Sequence, residues 1–119
     1  MKKILVIEDN ENNLYLIRFL LGKYGYLAIE ARDGKTGIEK ALSEKPDLIV
    51  MDIQLPDMSG LEATQKICAA QVNSKIPIVA MTSYAMVGDK EKALAAGCSG
   101  YIEKPINPET VMDELQKFL

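Results

Sequence analysis

Apolar residues fall along this chain in two rhythms that alternate. Short unbroken runs, Ile4-Leu5-Val6-Ile7, Leu48-Ile49-Val50-Met51 and Ile76-Pro77-Ile78-Val79-Ala80-Met81, have strand length and no polar face. That is the pattern of strands buried on both sides within a parallel sheet. Pro77 lies near the start of its run, where a missing donor is tolerated. Tyr26 to Ala31 reads as a weaker strand and Gly100-Tyr101-Ile102 as a short fifth one. Between the runs, apolar positions recur at helical spacing. They are Leu14, Ile17, Leu21 and Tyr24; then Ile38, Ala41 and Leu42; then Leu61, Ile67 and Cys68; and last Val111, Leu115 and Phe118.

Local punctuation marks the ends of these segments. Asn10 is placed to cap the first helix and Gly25 to stop it. Asp33-Gly34 makes a turn. Ser59 with Glu62 three residues on is a capping-box signature, and residues 69 to 75 read as a polar connection. A fourth helix runs from about Tyr84 to Ala96 and stops at Gly97. Met86 and Val87 near its start read as an exposed apolar contact beside Tyr101. Asn107-Pro108 supplies a cap and a first-turn proline to the last helix. Gly37 and Gly88 have no account in the pattern. Five strand-helix units in strict alternation, joined by short loops, predict an α/β fold with one doubly wound parallel sheet.

Length and composition narrow the picture. The 119 residues fit one domain, spanning 1–119, with no room for an output domain. The net charge of −3 argues against direct DNA binding, which wants a basic face. Cys68 and Cys98, with no histidine in the chain, do not make a zinc site; they read as small apolar residues in a reducing compartment. Met1-Lys2-Lys3 opens like a signal peptide, but the apolar run behind it is too short and ends in Glu8-Asp9. No run is long enough to span a membrane. A soluble, cytoplasmic protein is expected.

Polar residues close the strands: Glu8 and Asp9 after the first, Asp52 after the third, Thr82 after the fourth and Lys104 after the fifth. In a parallel sheet these ends share one edge, where ligands of such folds bind. Asp52 alone would suit a turn cap equally well. Together, three carboxylates repel one another by roughly 4 kcal/mol per pair at about 4 Å and an effective dielectric near 20. Lys104 and a hard divalent cation with oxygen ligands would balance them. A nucleophilic carboxylate, a metal, an ammonium and a hydroxyl are what an electrophilic phosphoryl group requires.

These residues resemble the receiver domain of two-component response regulators, and the resemblance covers essentially the whole chain. It rests on the acidic pair Glu8-Asp9, the strand ending in Asp52, Pro56 and Gly60 in the next loop, Thr82, and Lys104-Pro105. It implies a flavodoxin-like strand order 2-1-3-4-5 with helices on both faces. It implies that Asp52 accepts a phosphoryl group from a phosphohistidine on a sensor histidine kinase or a histidine phosphotransfer protein. Mg²⁺ would be held by Asp9, by Asp52, by the backbone carbonyl of Gln54 and by Glu8, the last mostly through water. Thr82 would donate its hydroxyl to the phosphoryl group and Lys104 would pair with it. Tyr101 would be the switch aromatic, and Lys104-Pro105 a cis peptide. The module would catalyse its own phosphorylation and slow autodephosphorylation, tuned by Gln54 and Tyr84. Its output would be a contact with a downstream protein target, made as a monomer or weak dimer. Kinase docking would use the start of the first helix and the loop near Ile106.

Several readings compete. A phosphorelay intermediate, or a receiver taken from a hybrid histidine kinase, would carry the same residues. A haloacid-dehalogenase-like phosphatase shares the strand-end Asp and Mg²⁺. It needs a second Asp two residues on, where this chain has Gln54. A flavodoxin-like cofactor binder would want a phosphate-cradling loop where Glu8-Asp9 would repel phosphate. A pseudo-receiver is disfavoured because every expected site residue is present.

Overall fold

The computed structural model describes residues 1–71, 75–83 and 88–119. Strands β1 (Lys3–Ile7), β2 (Leu27–Ala31), β3 (Leu48–Asp52), β4 (Ile78–Thr82) and β5 (Gly100–Glu103) alternate with helices. The helices are α1 (Glu11–Lys23), α2 (Gly34–Glu44), α3 (Gly60–Ala70), α4 (Asp89–Ala96) and α5 (Val111–Gln116). All strands are parallel, in the order β2-β1-β3-β4-β5. The fold is the doubly wound α/β sheet expected from the alternation.

The apolar runs divide their side chains between two cores, because successive residues of a strand face opposite sides. Ile4, Val6, Leu48, Val50, Val79 and Met81 meet Leu14, Ile17 and Leu21 of α1 and Val111, Met112 and Leu115 of α5. Leu5, Ile7, Ile49, Met51, Ile78 and Ala80 meet Ala41 of α2, Ala63 and Ile67 of α3 and Ala93 of α4. β3 and β4 are buried along their whole length, whereas β2 is an edge strand with Leu27 exposed. That position explains its weaker apolar signal.

Several local expectations are corrected. Tyr24 lies past the end of α1 as its C-cap and is exposed, so it does not continue the apolar stripe. Asp33 does not form a separate turn; its side chain caps α2 by accepting from the Thr36 amide at 2.7 Å. The inward face of α2 is Gly34, Gly37 and Ala41 with Ile38 packed beside them as expected, whereas Leu42 is exposed. A Cβ on Gly37 would come within 2.6 Å of Ile7 Cδ1, so this glycine lets the helix lie close on the sheet. Ser59 caps α3 through the Leu61 amide at 3.1 Å, but Glu62 turns to Lys66 at 3.4 Å and does not close a capping box. α3 runs on to Ala70, into what reads in sequence as a polar connection. α5 begins at Val111, because Asn107 first organises a turn through the Glu109 amide at 2.9 Å. The expected start of the fourth helix at Tyr84, with Met86 and Val87, lies outside the described residues; Gly88, at φ 92°, caps α4.

Candidate functional site

The sheet topology gathers the strand-end residues. β3 lies between β1 and β4, and Asp52 pairs in register with Met81, one residue before Thr82. Thr82 pairs with Glu103, and its carbonyl accepts from the Lys104 amide at 2.8 Å. Residues 8, 52, 82 and 104 therefore stand side by side on the carboxyl edge.

Glu8 and Asp52 are 0% and 2% exposed, and Thr82 is buried, whereas Asp9 is exposed. Lys104 Nζ reaches Glu8 Oε2 at 2.9 Å and Asp52 Oδ1 at 3.3 Å. Glu8 Oε1 accepts from the Asn10 amide at 3.1 Å, and Asp52 Oδ1 from the Gln54 amide at 3.1 Å. Burial pushes the Asp52 carboxyl up to about 6; the Gln54 amide and Lys104 oppose that rise and the Glu8 charge adds to it. Burial pulls the Lys104 ammonium down, and its two carboxylate partners more than reverse this, so its affinity for the proton is raised overall.

One carboxylate oxygen each from Glu8, Asp9 and Asp52 lies within 4.8 Å of the other two. The two buried acids, Glu8 and Asp52, share one lysine, exposed Asp9 stands beside them, and all three offer hard oxygen donors. The set fits a divalent cation such as Mg²⁺. Asn10 caps α1 through the Asn13 amide at 3.0 Å, which fixes Asp9 at the mouth of the cluster.

The loop from β3 to α3 closes tightly behind Asp52. Gln54 and Ser59 form an antiparallel bridge, and the Gly60 amide donates to the Ile53 carbonyl at 2.7 Å. A Cβ on Gly60 would run into the backbone carbonyl of Asp52, so glycine is required where the helix turns back on the strand end. The Lys104-Pro105 peptide bond is cis. Tyr101 is half-buried in β5, and its hydroxyl is enclosed with no hydrogen-bond partner among the described residues. Burial, then Asp89 and Glu103, push that phenol up. Ile106 is buried in the core beside α5, so it does not itself form a docking surface. Tyr84, expected to flank the site, lies outside the described residues.

One further residue bears on the site. Asp57, at the loop tip, accepts from the Gly34 and Lys35 amides at 2.7 and 3.0 Å, and these bonds hold its carboxyl below the usual range. Its partners are twenty-odd positions away in the chain, and no local pattern announces such a contact.

The alternating parallel sheet with acids and a lysine gathered at its carboxyl edge defines a doubly wound α/β domain with an acidic strand-end site. The chain belongs to the response regulator receiver domain family, whose model matches residues 4–116. It is 40% identical over 118 residues to the polar-differentiation response regulator DivK of Brucella anthropi, covering 99% of this chain and 96% of the relative. It is similar to the receiver domain of the sensor histidine kinase PA1611 of Pseudomonas aeruginosa, a structure with magnesium coordinated in the active-site cleft. The TM-score there is 0.88 at 34% identity, over 98% of this chain and 96% of that one. The chemotaxis protein CheY4 of Vibrio cholerae superposes with a TM-score of 0.93 at 29% identity, over 100% of this chain and 99% of that one. Among the described residues, no helix is long and apolar enough to cross a membrane.

Proposed function

We propose that this receiver domain takes a phosphoryl group onto Asp52 from a phosphohistidine and signals through a phosphorylation-dependent protein contact. The observation that carries the reading is Lys104 between Glu8 and Asp52, at 2.9 and 3.3 Å, beside an acidic set suited to a divalent cation.

In the proposed reaction an Asp52 carboxylate oxygen attacks phosphorus, a P–O bond forms and the P–N bond to the donor imidazole breaks. The imidazole nitrogen keeps the electron pair and regains a proton. Mg²⁺ bound by Asp9, Asp52, the Gln54 carbonyl and, through water, Glu8 would neutralise phosphoryl oxygens and favour in-line transfer. Lys104 moves its ammonium from the carboxylates toward the new phosphoryl oxygens, as its shared position allows. Thr82, at the end of the neighbouring strand, donates its hydroxyl. Tyr101 then changes its packing, carrying the change to the groove lined by Lys90, Glu91, Tyr101, Glu103, Asn107 and Thr110. Gln54 stands where a phosphatase of related chemistry needs an acid, so hydrolysis of the acyl phosphate is slow.

We read the chain as a DivK-like regulator, on its 40% identity across 96% of that relative. A receiver from a hybrid kinase is the second reading, supported by the likeness to the PA1611 receiver. The partners would be a sensor kinase or histidine phosphotransfer protein and a downstream protein. Incubation with a radiolabelled phosphohistidine donor domain tests the reading. Label should pass to wild type and not to Asp52→Asn; label that passes equally to both refutes Asp52 as acceptor.

A further inference from the structure

The loop between β3 and α3 is held at two places. Its base is closed by the Gln54–Ser59 bridge and by the Gly60 amide on the Ile53 carbonyl at 2.7 Å. Its tip is held by Asp57, whose two oxygens take the Gly34 and Lys35 amides at 2.7 and 3.0 Å. The first turn of a helix leaves four amides without intrahelical partners. In α2 the Gly37 amide makes the first intrahelical bond, to the Asp33 carbonyl at 3.0 Å, and the Asp33 side chain takes the Thr36 amide at 2.7 Å. Asp57 takes the Gly34 and Lys35 amides, which Asp33 does not reach.

The fit between tip and helix is also steric. A Cβ on Gly34 would collide with the Met58 side chain and stand 3.2 Å from Asp57 Oδ1. Gly34 is the gap that receives the loop tip. Gln54 and Pro56 are exposed, so packing at the clamp and of half-buried Leu55 and Met58 is what steadies this segment.

We propose that Asp57 is a positioning residue for phosphoryl transfer. By clamping the loop to α2 it fixes the segment from Asp52 to Gln54, whose amide holds Asp52 Oδ1 at 3.1 Å. The proposal rests on Asp52 being the phosphoacceptor and on Gln54 lending its carbonyl to the cation. A negative group at a helix N-terminus is favoured by the helix dipole, so the clamp is stable in the resting domain. Freed of it, the loop carries Gln54 away from the site, and a displacement of about 1 Å can cost as much as 100-fold in rate.

The test uses the full chain with Mg²⁺ alone, titrated by calorimetry, and separately a small-molecule phosphodonor at saturating Mg²⁺, followed by intact mass. Asp57→Ala should weaken Mg²⁺ binding by about tenfold, the range seen when outer supports of a metal site are removed. It should slow phosphoryl uptake as well. Asp57→Asn, which keeps one acceptor oxygen for the Gly34 amide but sets an NH2 donor against the Lys35 amide, should recover part of both. Asp33→Ala is the control, because it removes the other α2 cap and leaves the loop clamp in place. It should lower the melting temperature yet keep wild-type Mg²⁺ affinity. Circular dichroism at the assay temperature verifies that each variant is folded. If Asp57→Ala binds Mg²⁺ as wild type does, or if Asp33→Ala loses as much, Asp57 is only a helix cap and the proposal is overturned. Wild type that binds Mg²⁺ but takes up no phosphoryl group would refute Asp52 as acceptor, while the Mg²⁺ titration still decides the role of Asp57. Wild type that binds no Mg²⁺ overturns both.

Discussion

Lys104 stands closer to Glu8, at 2.9 Å, than to Asp52, at 3.3 Å. The two acids are buried and flank a single ammonium, so the resting site holds more negative than positive charge. This imbalance favours a cation beside the carboxylates, and it leaves Lys104 shared between two partners.

Removing the ammonium should expose the imbalance. Lys104→Ala leaves two buried carboxylates without their partner, a change that costs about 3 kcal/mol or more. Urea denaturation in chelator should show that loss, and saturating Mg²⁺ should restore part of it.

The raised Asp52 carboxyl, at about 6, sets a pH dependence. An acid raised above its unfolded value, about 3.9, binds more protons in the folded state between those two values. Stability of the metal-free chain therefore falls as pH rises through that window. Asp52→Asn should remove this component and be more stable than wild type at neutral pH, as thermal melts from pH 4 to 7 would reveal.

Asp9 differs from its neighbours in being exposed. Asp9→Asn should leave the chelator-treated protein near wild-type stability. A ligand at 100 times its dissociation constant stabilises a fold by about 2.7 kcal/mol, and the variant should lose most of that Mg²⁺-dependent gain. Parallel melts with and without Mg²⁺ measure it.

Gly60→Ala should destabilise the domain by about 1–3 kcal/mol, since the new methyl overpacks against the Asp52 backbone. It should also impair Mg²⁺ binding, because the displaced backbone belongs to the site. A denaturant series and a Mg²⁺ titration on the same sample check the two effects together.

The strands were legible where burial is complete. Residues 48–51 and 78–81 carry no polar face because both cores claim them, and the residues closing them followed directly. Edge strand β2 was faint for the converse reason. What the sequence left hidden are contacts between segments. Gly37 is explained only by Ile7 across the α2–β1 interface. Asp57 answers amides of another unit, and a loop acid beside proline looks like any solvated turn. Ile106 is apolar next to a cis proline, and only the packing of α5 shows that it turns inward. Tyr24 had the right spacing for a core residue, but its helix ends one residue before it.

Intact mass after incubation with a small-molecule phosphodonor, with Mg²⁺ or with chelator, on wild type and Asp52→Asn, tests phosphoryl acceptance at Asp52 head-on. Wild type should gain one phosphoryl group, and the gain should require both Mg²⁺ and Asp52. An unchanged mass for wild type in Mg²⁺, or an equal gain in Asp52→Asn, would contradict this role of Asp52.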